Sequence, residues 1–251
     1  MAGDFYIRPQ VFAPFKQIVA AQSLRNTDRP GAYSMLPVSC SEGVAADNRR
    51  HLAAQLDSAD LLLPHLQHGD HIWLDDGQAW RERPVADAII TNRPGRLIGV
   101  STADCVAVLL YDPHHEVVAA VHSGWRGTVK NITGQVIGRL EEEFKTRPSD
   151  LRAYLSPAPN PGEYEVGLDV AAKFAPDYLN EKGDDNYWLD IKLAIVDQLL
   201  SAGVQRGNIE VSPLSSFDQR LHSHRRDGVS AGRHVSVIGI KYLQSEPAGD
   251  S

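Results

Sequence analysis

Two short apolar runs separated by a four-residue turn constrain the fold of this chain more than any other feature. Residues 106–111 and 117–121 are rich in Val and Leu, and the segment D-P-H-H lies between them at residues 112–115. Short Val-rich runs joined by a turn predict two neighbouring β-strands. Because almost every residue of both runs is apolar, we expect both faces of each strand to be buried.

Two reactive side chains flank these runs. Cys105 precedes the first run and His122 follows the second. If the strands pair antiparallel, a residue that enters one strand lies across from a residue that leaves the other. The spacing therefore predicts that a thiol and an imidazole meet at one end of the strand pair.

A glycine-rich basic segment, S-G-W-R-G-T at residues 123–128, leads into a helical apolar pattern over residues 129–144 that ends before Pro148. A glycine-rich turn at a helix start exposes backbone N–H groups, which bind anions, and the guanidinium of Arg126 suits phosphate or carboxylate. The alternative is a tight strand-to-helix turn that binds nothing and buries Trp125. The local pattern leaves both interpretations open.

The rest of the chain alternates predicted strands and helices. We predict strands at residues 15–20, 61–63, 87–91, 97–100, 151–155, 209–211 and 235–240. We predict helices at residues 48–56 with Asp47 as N-cap, at 169–179, and at 190–202 with Asp190 as N-cap. No composition shift marks a boundary, so the expected architecture is α/β: a single layered domain over residues 1–251, with a mixed β-sheet flanked by helices.

Charge and composition argue against several classes of protein. The 251 residues carry a formal net charge of -7, which disfavours a broad nucleic-acid-binding surface. No apolar run approaches the length of a membrane span, and the first residues lack the apolar region of a signal peptide. Cys40 and Cys105 are the two cysteines, too few for a disulfide framework, so we expect a cytoplasmic protein with free thiols.

Two further clusters combine histidine and arginine. Residues 65–71 contain three histidines in a polar turn, and residues 221–228 read L-H-S-H-R-R-D-G. A histidine in a polar turn is a surface residue or a ligand, and its local sequence does not decide which. The second cluster is either an exposed basic turn or a loop that brings Arg225 or Arg226 to an anionic ligand.

The motifs as a set resemble the YfiH-like family. The segments that carry the resemblance are T-A-D-C-V-A-V-L-L-Y-D-P at residues 102–113, A-A-V-H-S-G-W-R-G-T at 119–128, V-A-A-D-N-R-R-H-L at 44–52, H-G-D at 68–70, D-A-I-I-T at 87–91, Y-E-V-G at 164–167 and H-S-H-R-R-D-G at 222–228. The family was described first as polyphenol oxidases with a laccase domain. It was later assigned as zinc-dependent purine nucleoside phosphorylases that also deaminate adenosine, and it includes proteins named peptidoglycan editing factors.

The resemblance implies a YfiH-like fold and one metal site made by His68, Cys105 and His122. Two imidazoles and one thiolate suit Zn²⁺, with a fourth position left for water or substrate, and Cu²⁺ also fits such a set. The implied reaction converts adenosine, inosine or methylthioadenosine and phosphate into free base and ribose 1-phosphate. The implied partners are therefore a small nucleoside and phosphate, without nucleic acid or membrane.

The remaining candidate residues follow from combining the resemblance with local chemistry. For catalysis the candidates are Asp104, Arg126, His224 and Arg225. For substrate or phosphate binding they are Gly124, Arg126, Gly127, Thr128 and Arg226. Asp104 is as readily a turn-capping carboxylate as a general acid or base. The chain departs from the family pattern at Leu66, which stands in place of a glutamine, and at Leu221-His222, in place of two phenylalanines.

Three other functions stay open at this stage. A four-copper laccase needs many histidines and commonly an axial Met, whereas this chain has 10 His and, as its methionines, Met1 and Met35. That inventory allows a single copper ion at the same site, with polyphenol oxidase activity, rather than four. Alternatively, Cys105 is a nucleophile with His122 as base, as in a hydrolase of peptidoglycan editing, or the protein only stores metal. The sequence leaves the oligomeric state open.

Overall fold

Within residues 5–58, 61–78 and 83–242, which this computed structural model describes, the chain forms fourteen β-strands and six α-helices. The strands are β1 (Tyr6–Ile7), β2 (Ile18–Ser23), β3 (Leu61–Leu62), β4 (Ile72–Leu74), β5 (Ala88–Thr91), β6 (Leu97–Thr102), β7 (Val106–Asp112), β8 (Val117–Ser123), β9 (Arg152–Leu155), β10 (Glu165–Gly167), β11 (Leu179–Gly183), β12 (Asn186–Leu189), β13 (Ile209–Val211) and β14 (His234–Ile240). The helices are α1 (Glu42–Gln55), α2 (Trp125–Val129), α3 (Ile132–Phe144), α4 (Leu168–Ala171), α5 (Ile191–Ser201) and α6 (His224–Asp227). Short 3-10 turns lie at Gln10–Phe12, Pro30–Tyr33, Pro148–Asp150, Pro176–Tyr178, Arg206–Asn208 and Gly228–Ser230.

The strands form three sheets, of which the two larger ones are mixed. The larger one has six strands in the order β13-β9-β7-β8-β5-β4, and the next has five in the order β1-β2-β14-β6-β3. A small three-stranded sheet has the order β10-β12-β11. The pairs β3–β6, β4–β5 and β9–β13 are parallel and the other pairs are antiparallel. The predicted class, a mixed α/β architecture with flanking helices, is confirmed.

The two larger sheets stack face to face, and helices cover their outer faces. Between the sheets, Ile98, Val100 and Ile238 of the five-stranded sheet pack with Ile89 and Leu109 of the six-stranded sheet. On the far side of the six-stranded sheet, a second core holds the apolar faces of α3 and α5. On the far side of the five-stranded sheet, Leu52 and Ala53 of α1 pack in a third core. Strands covered on both faces need apolar residues throughout, which explains the uninterrupted runs in the sequence.

The strand pair predicted from the two apolar runs is confirmed. β7 and β8 pair antiparallel from Val106 opposite Ser123 to Asp112 opposite Val117. Every residue of both strands is buried. The pair occupies the centre of the six-stranded sheet, so the side chains at its ends are held on a rigid element.

Two helix predictions were wrong in their limits. The helix predicted from residue 48 begins at Glu42, because the hydroxyl of Ser41, not Asp47, accepts the N-capping hydrogen bond from the backbone N–H of Val44. The helix predicted over residues 129–144 is divided into α2 and α3. Asn131 adopts a left-handed conformation with φ of 57° and caps the start of α3 through its side chain, so the chain turns there.

The helix predicted at residues 169–179 was largely wrong. Only α4 is helical, and Pro176 begins a 3-10 turn, after which Leu179 starts a strand that pairs with β12. Proline disfavours helix in the residue before it, which ends the helical pattern early. The helix predicted with Asp190 as N-cap is confirmed as α5, where the Asp190 carboxylate accepts from the N–H of Leu193. No helix in the described part of the chain is long and apolar enough to cross a membrane.

Candidate metal centre and active-site cavity

The end of the β7–β8 pair brings Cys105 and His122 together. Ala107 lies opposite His122 in the register, and Cys105 immediately precedes β7. The ligand atoms of Cys105, His122 and His68 lie within 4.8 Å of one another. This is the one group of three or more His, Cys, Asp or Glu residues with metal-binding geometry in the described ranges. The expectation that a thiol and an imidazole meet here is therefore confirmed.

His68 reaches the cluster from the loop between β3 and β4. Its backbone is left-handed, with φ of 57°. The loop is fixed by the carboxylate of Asp87, whose Oδ1 accepts hydrogen bonds from the N–H groups of Gln67 at 3.2 Å and His68 at 2.8 Å. Its Oδ2 accepts from the N–H of Gly69 at 2.8 Å. Thus Asp87, just before β5, positions the third side chain of the cluster.

Asp87 also orients His122. Its Oδ1 lies 3.2 Å from Nδ1 of His122, and both side chains are almost completely buried. Metal-binding histidines commonly hold their second ring nitrogen against a carboxylate in this way, which leaves Nε2 for the metal. Sequence analysis assigned Asp87 only to a strand start and missed this role. The signal was a buried acidic residue directly before an apolar run.

The electrostatics favour the charged forms of the cluster. Burial raises the pKa of the Cys105 thiol, but the charge of His122 and hydrogen bonds from His122 and His68 outweigh it and lower the pKa to about 6. Burial lowers the pKa of His122, but the Cys105 thiolate and Asp87 outweigh it and raise the pKa to about 9. A thiolate at neutral pH is the form that binds a metal ion.

The shape of the site also fits a metal ion. A Cβ atom on Gly124 would lie 2.9 Å from Sγ of Cys105 and under 4 Å from the rings of His68 and His122. Glycine therefore keeps open the space beside the three ligand atoms. A Cβ on Gly127 would lie 3.1 Å from the carbonyl oxygen of Gly69, so this glycine lets the His68 loop approach α2 closely. With two imidazoles and one thiolate, the donor set suits Zn²⁺ or copper.

A cavity of about 550 Å³ opens above this cluster. His68, Cys105 and His122 form part of its wall, and apolar surface comes from residues that include Leu36, Val38, Leu66 and Trp125. The volume lies within the range of small-molecule sites. Among the predicted catalytic residues, Asp104, His224 and Arg225 line the cavity with the metal cluster.

Three arginines, Arg83, Arg225 and Arg233, line the same cavity. Arg83 donates hydrogen bonds to the carbonyls of Leu63 and Pro64, and Arg233 to those of Ala231 and Gly232, so both guanidinium groups are held in place. None of the three forms an ion pair with a carboxylate in the described part of the chain. Burial lowers the pKa of Arg83 and Arg233, which reflects the partial removal of these charges from water. Sequence analysis missed Arg83 and Arg233, because no local pattern marks them.

Asp104, which precedes Cys105, accepts hydrogen bonds from residues between 216 and 225 and so connects this segment to the metal cluster. Its Oδ1 accepts hydrogen bonds from the hydroxyls of Ser216 at 2.7 Å and Ser223 at 2.6 Å, and its Oδ2 accepts from the N–H of Arg225 at 2.8 Å. Its backbone has φ of 96°, a strained value for a residue other than glycine, immediately before Cys105. The carboxylate is thus already occupied by three donors.

The other predicted phosphate-binding residues are not among those that line the cavity, although Gly124 lies beside the metal cluster. Arg126 is exposed, and its guanidinium carbon lies 4.3 Å from the ring centre of its neighbour Trp125. Thr128 is buried, and its hydroxyl contacts the carbonyl of Gly124 and the hydroxyl of Ser123. Arg226 donates to the carbonyls of Phe217, Asp218 and Leu221 and to Asp227. Phosphate binding by the Gly124–Thr128 loop stays a prediction, and the contacts of this loop serve packing.

A family model described as multi-copper polyphenol oxidoreductase laccase matches residues 39–241. The chain is 35% identical over 195 residues to a purine nucleoside phosphorylase of Clostridium acetobutylicum, an alignment that covers 76% of this chain and 82% of that protein. It is 34% identical over 200 residues to a purine nucleoside phosphorylase of Deinococcus radiodurans, with 78% and 77% covered.

Solved structures match almost the whole fold. The hypothetical protein YfiH of Bacillus licheniformis superposes with a TM-score of 0.88 at 27% identity, over 95% of this chain and 97% of that chain. YlmD of Geobacillus stearothermophilus superposes with a TM-score of 0.86 at 27% identity, over 96% and 98%. The fold expected from the sequence resemblance is therefore confirmed.

Proposed function

The chain belongs to the family described as multi-copper polyphenol oxidoreductase laccase, and from this premise we propose that it is a metal-dependent purine nucleoside phosphorylase. The reaction joins phosphate to C1′ of the ribose while the purine leaves with a proton, giving free base and ribose 1-phosphate. One domain over residues 1–251 carries the site. Relatives that are 34–35% identical over the aligned residues are named purine nucleoside phosphorylases.

The observation that carries the proposal is the combination of one metal cluster and three guanidinium groups in one cavity. His68, Cys105 and His122 would hold a single Zn²⁺, which supplies a Lewis acid with an open position for a substrate oxygen or water. A nucleoside is neutral and needs no cluster of cations, whereas phosphate does. These arginines, which form no ion pair with a carboxylate among the described residues, therefore support an oxyanion as the second substrate.

We assign separate roles in this reaction to the residues of the cavity. Arg225 and Arg233 bind the phosphate, and Arg83 extends the positive wall. Trp125 and Tyr164 offer aromatic surface for the purine and ribose. His224, which is exposed at the cavity wall, donates the proton to the leaving purine. Asp104 is less suited to proton transfer, because three donors already occupy its carboxylate.

Deamination of adenosine is a second activity that we propose for the same cavity. It needs an activated water molecule at C6 of the purine and a group that moves protons, and the open position of the metal with His224 supplies both. It does not use phosphate, so the product separates the activities: adenine from phosphorolysis, inosine from deamination.

Copper-dependent polyphenol oxidation is the alternative that the donor set favours, since two histidines and one cysteine also suit a copper ion. The described residues hold one such cluster, so a single copper ion is the limit there. A hydrolase with Cys105 as nucleophile is favoured by the hydrogen bond between His122 and Asp87, because cysteine, histidine and aspartate then form a chain. His68 has no role in that chemistry, although Asp87 fixes its loop.

The two cysteines provide a matched test of the proposal. Cys105→Ala removes a metal ligand, whereas Cys40→Ala changes a half-buried thiol whose contact is the carbonyl of Leu36 at 3.7 Å. We expect Cys105→Ala to lose both the metal, measured by elemental analysis, and phosphate-dependent adenosine cleavage. Cys40→Ala should keep both. A metal-free Cys105→Ala with full activity would remove the metal from the reaction, and a metal-loaded wild type without any nucleoside turnover would reject the proposed activity.

A further inference from the structure

The segment V-A-A-D-N-R-R-H-L at residues 44–52 lies in α1 and has no role in the metal cluster or in the wall of its cavity. Two of its polar side chains, those of Asn48 and Arg49, donate hydrogen bonds to residues 30–38, which we call the wall loop. The end of this loop, residues 36–38, lines the metal-site cavity. Segment 44–52 is therefore connected to the cavity through the wall loop.

The wall loop contains three consecutive residues in the left-handed region. Gly31, Ala32 and Tyr33 have φ of 65°, 49° and 63°. This conformation costs glycine little but is unfavourable for alanine and tyrosine, so it persists only where surrounding contacts hold it. Tyr33 is completely buried, and its hydroxyl lies 2.8 Å from Nδ1 of His51 in α1. The shape of the loop therefore depends on its contacts with α1.

Asn48 contacts both ends of this strained run. Its side chain is buried, and its Nδ2 donates hydrogen bonds to the carbonyl of Pro30 at 3.2 Å and to that of Ser34 at 3.0 Å. These carbonyls lie immediately before and immediately after the three left-handed residues. Oδ1 accepts a hydrogen bond from Nε of Arg29 at 3.2 Å, so two acceptors and one donor fix the orientation of the amide. A single side chain thus closes the loop.

The wall loop is also bonded to Arg233, one of the arginines of the cavity. Oγ of Ser34 accepts a hydrogen bond from the N–H of Arg233 at 3.0 Å, and the N–H of Met35 donates to the carbonyl of Arg233 at 2.8 Å. The same Oγ donates to the carbonyl of Leu36 at 2.8 Å. Nη1 of Arg49 donates to the carbonyl of Met35 at 2.7 Å. A displacement of the loop would therefore move Arg233 and Leu36 together.

We propose that Asn48 and Arg49 are positioning residues for the cavity. Neither lines it, but through the wall loop they fix Arg233, which binds phosphate, and residues 36–38, which contact the nucleoside. The effect on substrates rests on the proposed function, whereas the hold on the loop does not. The three residues of the metal cluster come from other elements, so release of the loop leaves metal binding intact.

Cys40 gives a measure of the loop that needs no turnover. Its thiol is half-buried, its Sγ lies 3.7 Å from the carbonyl of Leu36, and a Cβ on Gly31 would lie 2.7 Å from the Cβ of Cys40. The wall loop therefore packs against this thiol. We expect the alkylation rate of Cys40 in the metal-loaded full chain, followed by mass spectrometry of its peptide, to rise about tenfold in Asn48→Ala and in Arg49→Gln, because bonds that close the loop are lost.

The KM for phosphate separates positioning from a loss of folded protein. Unfolding of part of the sample lowers kcat per chain and leaves KM unchanged. We expect both variants to raise the KM for phosphate about tenfold, more than they lower kcat, with metal content unchanged. Asn208→Ala is the control, because Nδ2 of Asn208 also donates to a distant carbonyl, that of Ser149 at 3.0 Å, but Asn208 does not line the cavity. It should change neither the alkylation rate nor KM.

If the alkylation rate of Cys40 stayed at the wild-type value in both variants, α1 would not hold the wall loop, and the proposal would be rejected whatever the activity. Faster alkylation with an unchanged KM, or with a fall in kcat alone, would reject the positioning role. If the wild type turned over no nucleoside, the proposed function would fail. The dissociation constant of inorganic phosphate, measured by equilibrium dialysis, would then replace KM in the same comparison.

Discussion

Oδ1 of Asp87 lies 3.2 Å from Nδ1 of His122 and also accepts the backbone N–H of His68 at 2.8 Å. A single buried carboxylate thus orients two of the three side chains of the candidate metal cluster, which come from different parts of the chain. Burial raises the pKa of Asp87, but the hydrogen bonds from His122 and Gly69 outweigh it and lower the pKa. Asp87 is therefore ionised at neutral pH, and its contact with Nδ1 of His122 leaves Nε2 of that ring for a metal ion.

Replacement of this carboxylate should weaken metal binding without removing a ligand. Asp87→Asn keeps the shape but loses the charge and one of the two acceptor oxygens. We expect metal affinity to fall about 10- to 100-fold, the usual effect of losing such a partner. Competition with a chelator measures it. Asp70→Asn is the control, since Asp70 lies beside the same loop but pairs with Lys130 near the surface. Equal metal affinity in the two variants would contradict the role of Asp87.

Gly124 and Gly138 provide a second matched pair. A Cβ at Gly124 would lie 2.9 Å from the sulfur of Cys105, whereas a Cβ at Gly138, in α3, meets nothing within 4 Å. Gly124→Ala should displace the sulfur and lower metal content and turnover together. Gly138→Ala should keep both and stabilise the fold by about 0.5–1 kcal/mol, because alanine favours helix. Normal metal content in Gly124→Ala would show that the space beside Cys105 is not needed.

Asp104 should hold the backbone of Arg225 in position rather than transfer a proton. In Asp104→Asn the side-chain amide replaces one acceptor, and a donor faces the N–H of Arg225 or a serine hydroxyl. We expect a loss of about 1–3 kcal/mol of stability and a higher KM for phosphate, with metal content unchanged. The pH dependence of kcat should keep its shape. Loss of one limb of that pH profile would identify Asp104 as the general acid or base instead.

The arginines of the cavity should matter more for phosphate than the arginine of the glycine-rich loop. Arg225 and Arg233 line the cavity, whereas Arg126 is not among the residues of its wall. We expect Arg225→Gln and Arg233→Gln to raise the KM for phosphate at least tenfold, and Arg126→Gln to change it less than twofold. Steady-state kinetics at varied phosphate measures both. If Arg126→Gln alone raised the KM for phosphate strongly, the glycine-rich loop and not the cavity arginines would bind phosphate.

A buried histidine pair should make the fold sensitive to acid. His234 is completely buried, and neither ring nitrogen has a hydrogen-bond partner among the described residues. Burial, with the charges of His222 and Arg233, lowers its pKa from 6.5 to about 3. Because the pKa is lower in the folded state, its contribution to stability is present above pH 6.5 and is lost as the pH falls toward 3.

His234→Leu removes this titration and fills a similar volume with an apolar side chain. We expect it to be at least as stable as wild type at pH 7 and to lose less stability between pH 6.5 and 4. Denaturant unfolding at several pH values measures the difference. If both proteins lost the same free energy of unfolding over that pH range, protonation of His234 would not contribute to the acid sensitivity of the fold.

The central strands and the ligand set could be predicted from the sequence because both depend on local patterns. Uninterrupted apolar runs mark β7 and β8 wherever they lie in the sheet, and antiparallel pairing then places Cys105 near His122. The motifs around His68 and Cys105 supplied the third ligand through resemblance. The class of fold followed from the alternation of strands and helices.

The remaining features depend on contacts between distant segments. Asp87 directly precedes an apolar run, but its local sequence does not show that it contacts His68 and His122. Arg83 and Arg233 reach the cavity from loops that only the complete fold brings together. The three donors to Asp104 lie more than 100 residues away in the chain. The glycines of the 123–128 segment allow the close approach of Cys105 and Gly69, a role that the local sequence does not show, and an anion site there stays a prediction.

The measurement that tests the central claim most directly is product analysis of adenosine incubated with the purified, metal-loaded chain, with and without phosphate. The same sample is assayed for metal content. We expect about one zinc per chain and release of adenine and ribose 1-phosphate that depends on phosphate. Adenosine left intact under these conditions, or cleaved equally well without phosphate, would contradict the account.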